Sequence, residues 1–194
     1  MSSVIPNLVI SDFDGTFYNF KIIDNKIIQN IFSEHKPVLA IDSFLWKMNA
    51  LGIFGNSMRG LKLRLFIYSL LTFNLTYRHV YISYAVLYKR LAKKKYKRKL
   101  WLIRQIEKKG YTFIILTNNR FTCDMDTEHI IYTSKKRSVL KEYPPEYLIG
   151  DNFWDDYRNR PNGTKYIHVG KGIVSKFKNV KKINNFYEIF NVIK

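Results

Sequence analysis

Three short β-rich apolar runs, each leading to an acid or a hydroxyl, constrain this chain more than any other feature. Leu8-Val9-Ile10 leads to Asp12, residues 111–116 lead to Thr117, and Tyr147-Leu148-Ile149 leads to Asp151. Runs this short, bounded by turn residues, read as buried strands. Between them lie segments with helical signals. Leu100, Ile103 and Ile106 recur at helical spacing before a stop at Gly110, and residues 134–143 read as a short helix halted by Pro144-Pro145. Ile130-Ile131-Tyr132 is a weaker strand and residues 165–169 form the last one. Residues 183–193 then read as a C-terminal helix with Phe186, Ile189, Phe190 and Ile193 on one face. Strands alternating with helices imply an α/β fold with a parallel sheet. Ligands of such sheets bind beyond the carboxyl ends of the strands, where Asp12, Thr117 and Asp151 stand.

Asp12-Phe13-Asp14-Gly15-Thr16 carries the parts for chemistry on phosphorus. Strand-like side chains repeat every two residues, so Asp12 and Asp14 point to one side. Gly15 lets the backbone turn sharply and approach a ligand. A carboxylate can attack phosphorus to form an acyl phosphate, and a neighbouring acid can protonate the leaving oxygen. By itself D-x-D-G also suits an ordinary turn.

Charge is distributed unevenly along the 194 residues. Residues 43–106 hold 14 basic side chains and no acid, whereas the rest of the chain holds 19 basic and 15 acidic ones. The middle of the chain is therefore expected to be a separate module that faces something anionic. Cys123 is the only cysteine, which rules out an internal disulfide or a cysteine-based zinc site and suits a reducing compartment. No arginine follows it at the short spacing of a cysteine-phosphatase loop. The N-terminus lacks the pattern of a signal peptide. The expected location is the cytoplasm, with peripheral attachment if the basic module meets a membrane.

Taken in order, the short motifs resemble those of the haloacid dehalogenase-like (HAD) phosphohydrolase superfamily. The first is Asp12-Phe13-Asp14-Gly15-Thr16 and the second is the strand ending in Thr117-Asn118. The third is a lysine at a helix start, best matched by Lys136 in Lys136-Arg137-Ser138-Val139-Leu140, with Lys135 adjacent. The fourth is Gly150-Asp151-Asn152-Phe153-Trp154-Asp155-Asp156. The resemblance implies a Rossmann-like three-layer parallel-sheet core, residues 1–20 and 105–194, with an α-helical cap inserted at 21–104. It implies that Asp12 is the nucleophile and that Asp14 is the general acid and then base. Thr117, Asn118 and Lys136 would bind the phosphoryl group. Mg²⁺ would be held by Asp12, the Asp14 carbonyl and Asp151, while Asp155 would orient metal-bound waters or Lys136. Asp14 favours a phosphatase or phosphomutase over the dehalogenase and ion-pumping ATPase branches, because an oxygen leaving group needs a proton. Asp156 and Trp154 read as a solvated charge and a packed aromatic. Asn119, like Asn118, either contacts substrate or caps a turn.

The module at 21–104 reads as helical. Residues 43–51 and 61–77 carry few breakers, and 80–109 forms one long helix broken or bent near the lysine cluster. Residues 65–77 are uncharged but too few to span a bilayer. Lys89 to Lys99 places eight basic residues in eleven positions, a density suited to anionic lipid or to a nucleic-acid backbone. Gly170-Lys171-Gly172 lacks the remainder of a P-loop, and His35, His79, His129 and His168 show no metal-ligand spacing. The expected activity is a Mg²⁺-dependent phosphomonoesterase using an aspartyl-phosphate, with a phosphorylated small metabolite or lipid head group as substrate. A nucleic-acid end phosphatase and a non-catalytic module that binds an anionic ligand are the alternatives.

Overall fold

The computed structural model describes residues 5–49, 58–122, 125, 127–170, 177 and 179–193, without the side chains of 48, 49, 58, 59, 154 and 155. Six strands form one parallel sheet: β1 (Leu8–Ser11), β2 (Thr112–Thr117), β3 (Ile130–Tyr132), β4 (Tyr147–Gly150), β5 (Lys165–Val169) and β6 (Val180–Ile183), in the order β3-β2-β1-β4-β5-β6. The helices are α1 (Phe20–Ile31), α2 (Lys36–Asn49), α3 (Met58–Thr72), α4 (Tyr77–Lys108) and α5 (Lys136–Glu142). The fold is thus α/β with a Rossmann-like parallel sheet flanked by helices.

Period-two alternation assigns the side chains of the strands to two faces. Leu8, Ile10, Leu116, Leu148 and Tyr166 pack with Leu140 of α5 and with Phe153. Phe113, on the other phase, meets Phe186, which in turn lies 4.5 Å from Phe17. β1 lies between β2 and β4 and is buried along its whole length, which explains a run without polar alternation. Asp12 extends that pairing, since its N–H donates to the Ile149 carbonyl at 2.8 Å.

Two compact units are found: residues 1–20 with 93–194, and residues 21–92. The first contains the sheet. In the second, α1 to α3 and the first part of α4 meet at a buried polar node. Asp24 accepts hydrogen bonds from Trp46 Nε1 at 3.1 Å, Tyr84 OH at 2.5 Å and Arg64. Asp42 accepts one from Tyr68 OH and lies 3.5 Å from Arg64 Nη1.

Several expectations are corrected by the coordinates. A sixth strand, β6, follows β5. Two of its four residues, Lys181 and Lys182, are exposed at the sheet edge, where lysine blunts unwanted pairing and also disguises the strand in sequence. The C-terminal helix is replaced by the end of β6 and a 3₁₀ segment, Phe186–Asn191, capped by Asn185, whose side chain accepts from Tyr187 N–H. The apolar residues do point inward, except that Phe190 is only half-buried. The helix expected over 61–77 stops at Thr72. The helix after it runs without interruption through the lysine cluster as α4. Like charges at helical spacing oppose that continuity, but Tyr84, Tyr88, Ala92, Tyr96, Lys99, Ile103 and Ile106 form a buried stripe that holds it. No described helix is long and apolar enough to cross a membrane.

Candidate active site

The carboxyl ends of β2, β1 and β4 lie side by side, so Thr117, Asp12 and Asp151 emerge from neighbouring strands of one sheet. Two glycines permit the carboxylates to approach the backbone. Gly15 has φ +81°, and a β-carbon there would fall on the Asp151 carboxylate. A β-carbon at Gly150 would fall on the carboxylate of Asp156. Each glycine is therefore a cradle for an acid as well as a turn residue. Thr16 Oγ1 donates to Asp151 Oδ1 at 3.1 Å, which ties the loop after β1 to the end of β4.

Lys136, the first residue of α5, carries the central cation. Its Nζ is 3.2 Å from Asp12 Oδ1 and 3.1 Å from Asp156 Oδ1. Burial disfavours the ammonium, but Asp12 and Asp156 outweigh burial and hold its pKa above that of a free lysine. Lys136 therefore stays charged across the physiological range. The neighbouring Lys135 is exposed and precedes the helix, its N–H donating to Thr133 Oγ1 at 3.0 Å. Of the two candidate lysines, Lys136 is the one that reaches Asp12.

The acids are destabilised in their charged forms. Burial, and then the Asp12 charge, pushes the Asp151 carboxyl up to about 6, against the opposing hydrogen bond from Thr16. Burial likewise raises Asp156. Asp156 Oδ2 is buried without a hydrogen-bond partner among the described residues. Asp12, Asp151 and Asp156 can each bring a carboxylate oxygen within 4.8 Å of the others. Three convergent hard oxygen donors, one of them orphaned, could hold a metal cation.

Asp14 adds no carboxylate to this trio. Its Oδ2 accepts from Asn119 Nδ2 at 2.9 Å, and its Oδ1 accepts from Tyr18 OH. The two donors fix its orientation beside Asp12. Asn119 caps a turn, its Oδ1 accepting from Phe121 N–H at 3.0 Å at the 3₁₀ segment Arg120–Thr122, and it also holds Asp14, a role the sequence did not suggest. Thr117 is fully buried, its Oγ1 accepting from Asn119 N–H at 3.1 Å. Asn118 is exposed.

Asp156 is the main correction. It is buried and paired with Lys136, not a solvated charge. The segment after β4 winds as one π-helical turn, Phe153–Tyr157, and that turn carries Asp156 into the site. The side chains of Asp155 and Trp154 lie outside the described residues. Sequence reasoning also passed over Tyr18 and Thr16. Thr16 was visible as the last residue of the first motif; Tyr18 had no signal beyond its place four residues after Asp14.

No protein-family model matches the chain, and no curated protein matches its sequence.

Proposed function

We propose that this chain is a HAD-like phosphohydrolase, a Mg²⁺-dependent phosphomonoesterase that works through an aspartyl-phosphate on Asp12. The observation that carries this reading is the convergence of Asp12, Lys136, Asp151 and Asp156 at the carboxyl ends of adjacent parallel strands, with Asp14 fixed beside them. In this reading residues 21–92 stand, in chain order, where that family carries a helical cap.

The chemistry follows from the named atoms. A carboxylate oxygen of Asp12 attacks phosphorus, the P–O ester bond breaks in line, and Asp14 gives its proton to the leaving oxygen. Water then attacks the phosphorus of the aspartyl-phosphate while Asp14 takes its proton. The P–O bond to Asp12 breaks, inorganic phosphate leaves, and the Asp12 carboxylate is restored. Lys136 offsets negative charge on Asp12 and on the phosphoryl oxygens as a compact point charge. Asp156 holds Lys136 in position. Thr117 and Asn118 lie at the end of β2 for contact with a phosphoryl oxygen. Asp12, the Asp14 carbonyl and Asp151 would hold Mg²⁺, with Asp156 near enough to contribute. When bound, the ion supplies Lewis-acid polarisation of the phosphoryl group. The substrate class is a phosphorylated small molecule or lipid head group.

The test is hydrolysis of an aryl phosphate with and without Mg²⁺. Turnover is expected to require the ion, to stop with EDTA, and to fall about a thousandfold or more in Asp12→Asn. A well-folded protein with no metal-dependent turnover on any of a panel of phosphate esters would sink the proposal.

A further inference from the structure

The helical unit carries a contact surface of its own. Phe73, directly after α3, has φ +52°, and Asn74 N–H donates to the Thr72 carbonyl at 2.5 Å across it. A γ-type turn of this hand strains any residue with a branched or bulky side chain, and glycine or asparagine is the usual occupant. Here the occupant is a phenylalanine, a residue 95 % exposed. The strain holds a large apolar group in water, which costs free energy twice over unless something covers the ring.

Phe73 does not stand alone. Leu63, Phe66 and Leu70 precede it at spacings of three and four, all exposed, on the side of α3 opposite the buried Leu61, Leu65 and Tyr68. α4 returns antiparallel to α3: Phe66 lies 6.0 Å from the Tyr77 ring, and Lys62 Nζ lies 5.9 Å from that of Tyr81. Its outer side carries exposed Ile82 and Val86, one turn apart. Lys62, Arg78 and Arg90 are exposed around this apolar stripe, within a stretch, residues 43–106, that has no acid.

We propose that the α3–α4 turn docks on an anionic phospholipid bilayer. Phe73 and Leu70 enter the acyl boundary, Tyr77 and Tyr81 sit at head-group depth, and Lys62, Arg78 and Arg90 engage lipid phosphates. Nucleic acid would satisfy the cations but leave the leucine, isoleucine and phenylalanine side chains unburied. A second copy of this face would bring like charges together. A bilayer with anionic head groups satisfies both components. The inference is independent of the phosphatase reading.

Sedimentation of the full chain with phosphatidylcholine vesicles, with and without phosphatidylserine, tests it. Binding is expected with phosphatidylserine. Phe73→Asn, which suits the turn, should lower partitioning about tenfold, and Arg78→Gln about fivefold. Phe73→Trp should show a blue-shifted emission when anionic vesicles are added. Hydrolysis of a soluble aryl phosphate by Phe73→Asn should match the wild type, which separates loss of docking from loss of chemistry. Wild-type protein left in the supernatant, or Phe73→Asn binding as well as wild type, would overturn the proposal. So would an RNA shift shared by both proteins without vesicle binding, or self-association that Phe73→Asn abolishes.

Discussion

Each unit of this protein gathers acids around one cation, and the two gatherings differ in which group is left without a partner among the described residues. In the helical unit, Asp24 and Asp42 flank Arg64 and accept from Trp46, Tyr84, Tyr68 and the guanidinium, whose buried Nε has no partner among the described residues. In the sheet unit, Lys136 pairs with Asp12 and Asp156, Asp151 lies close to both acids, and Asp156 Oδ2 has no partner among the described residues. The first arrangement uses charge to fix four helices against one another. Burial raises carboxyls in both, Asp42 in the first and Asp151 and Asp156 in the second, but the second also leaves a carboxylate oxygen without a partner among the described residues, a condition that a bound cation would relieve. What differs is the group left over: a guanidinium N–H in the first and a carboxylate oxygen, which could meet a cation, in the second.

That contrast can be broken most forcefully at Arg64. Arg64→Met is expected to leave two buried carboxylates uncompensated and to destabilise the fold by about 3–5 kcal/mol, read by urea unfolding. An unchanged midpoint would show that the node is not structural. Next in size is Lys136→Ala, for which turnover on an aryl phosphate should fall about 10²–10³-fold, while Lys135→Ala stays within about twofold. Equal losses would contradict the geometry that separates the two lysines.

A smaller effect is expected from metal alone. Mg²⁺ at a hundredfold excess over its Kd should stabilise the wild type by about 2.7 kcal/mol, visible as a raised Tm, and Asp151→Asn should lose most of that gain. Arg64 variants that remain folded should keep it. The smallest effect concerns Lys99, whose amine donates to the Phe17 carbonyl and lies 5.0 Å from the Phe17 ring centre. Burial, and then Lys95, lowers its pKa from 10.5 to about 8. The unfolded chain therefore binds more protons than the native one between those values, so this group adds stability as pH rises through that window. The gain across that window is on the order of 1–2 kcal/mol. Unfolding at pH 7 and pH 9.5 should show the slope in wild type and a flatter one in Lys99→Met.

Legibility varied with the range of the interaction. The strand ends at Asp12, Thr117 and Asp151 were visible because a buried strand must be apolar and a strand end need not be. Gly110 was visible as a helix stop for a local reason. The break at Phe73 was not, because neither glycine nor proline marks it; a phenylalanine takes a backbone region that only its surroundings can impose. β6 was hidden by its lysines, and Asp156 by a π turn that local pattern does not announce. The lysine cluster suggested a broken helix, yet a buried stripe of residues supplied by tertiary packing keeps α4 whole.

The sequence by itself determined the parallel α/β plan, the strand ends that carry Asp12, Thr117 and Asp151, and the acid-free basic middle. Those follow from periodicity, turn residues and charge, all of which act over a few positions. The tertiary structure alone decided that Lys136 and not Lys135 meets Asp12, that Asp156 joins the acids, and that Asp14 is steered by Asn119 and Tyr18. Each of these joins residues brought together by the sheet or by a turn, and a few tenths of a turn in the backbone changes which side chain arrives.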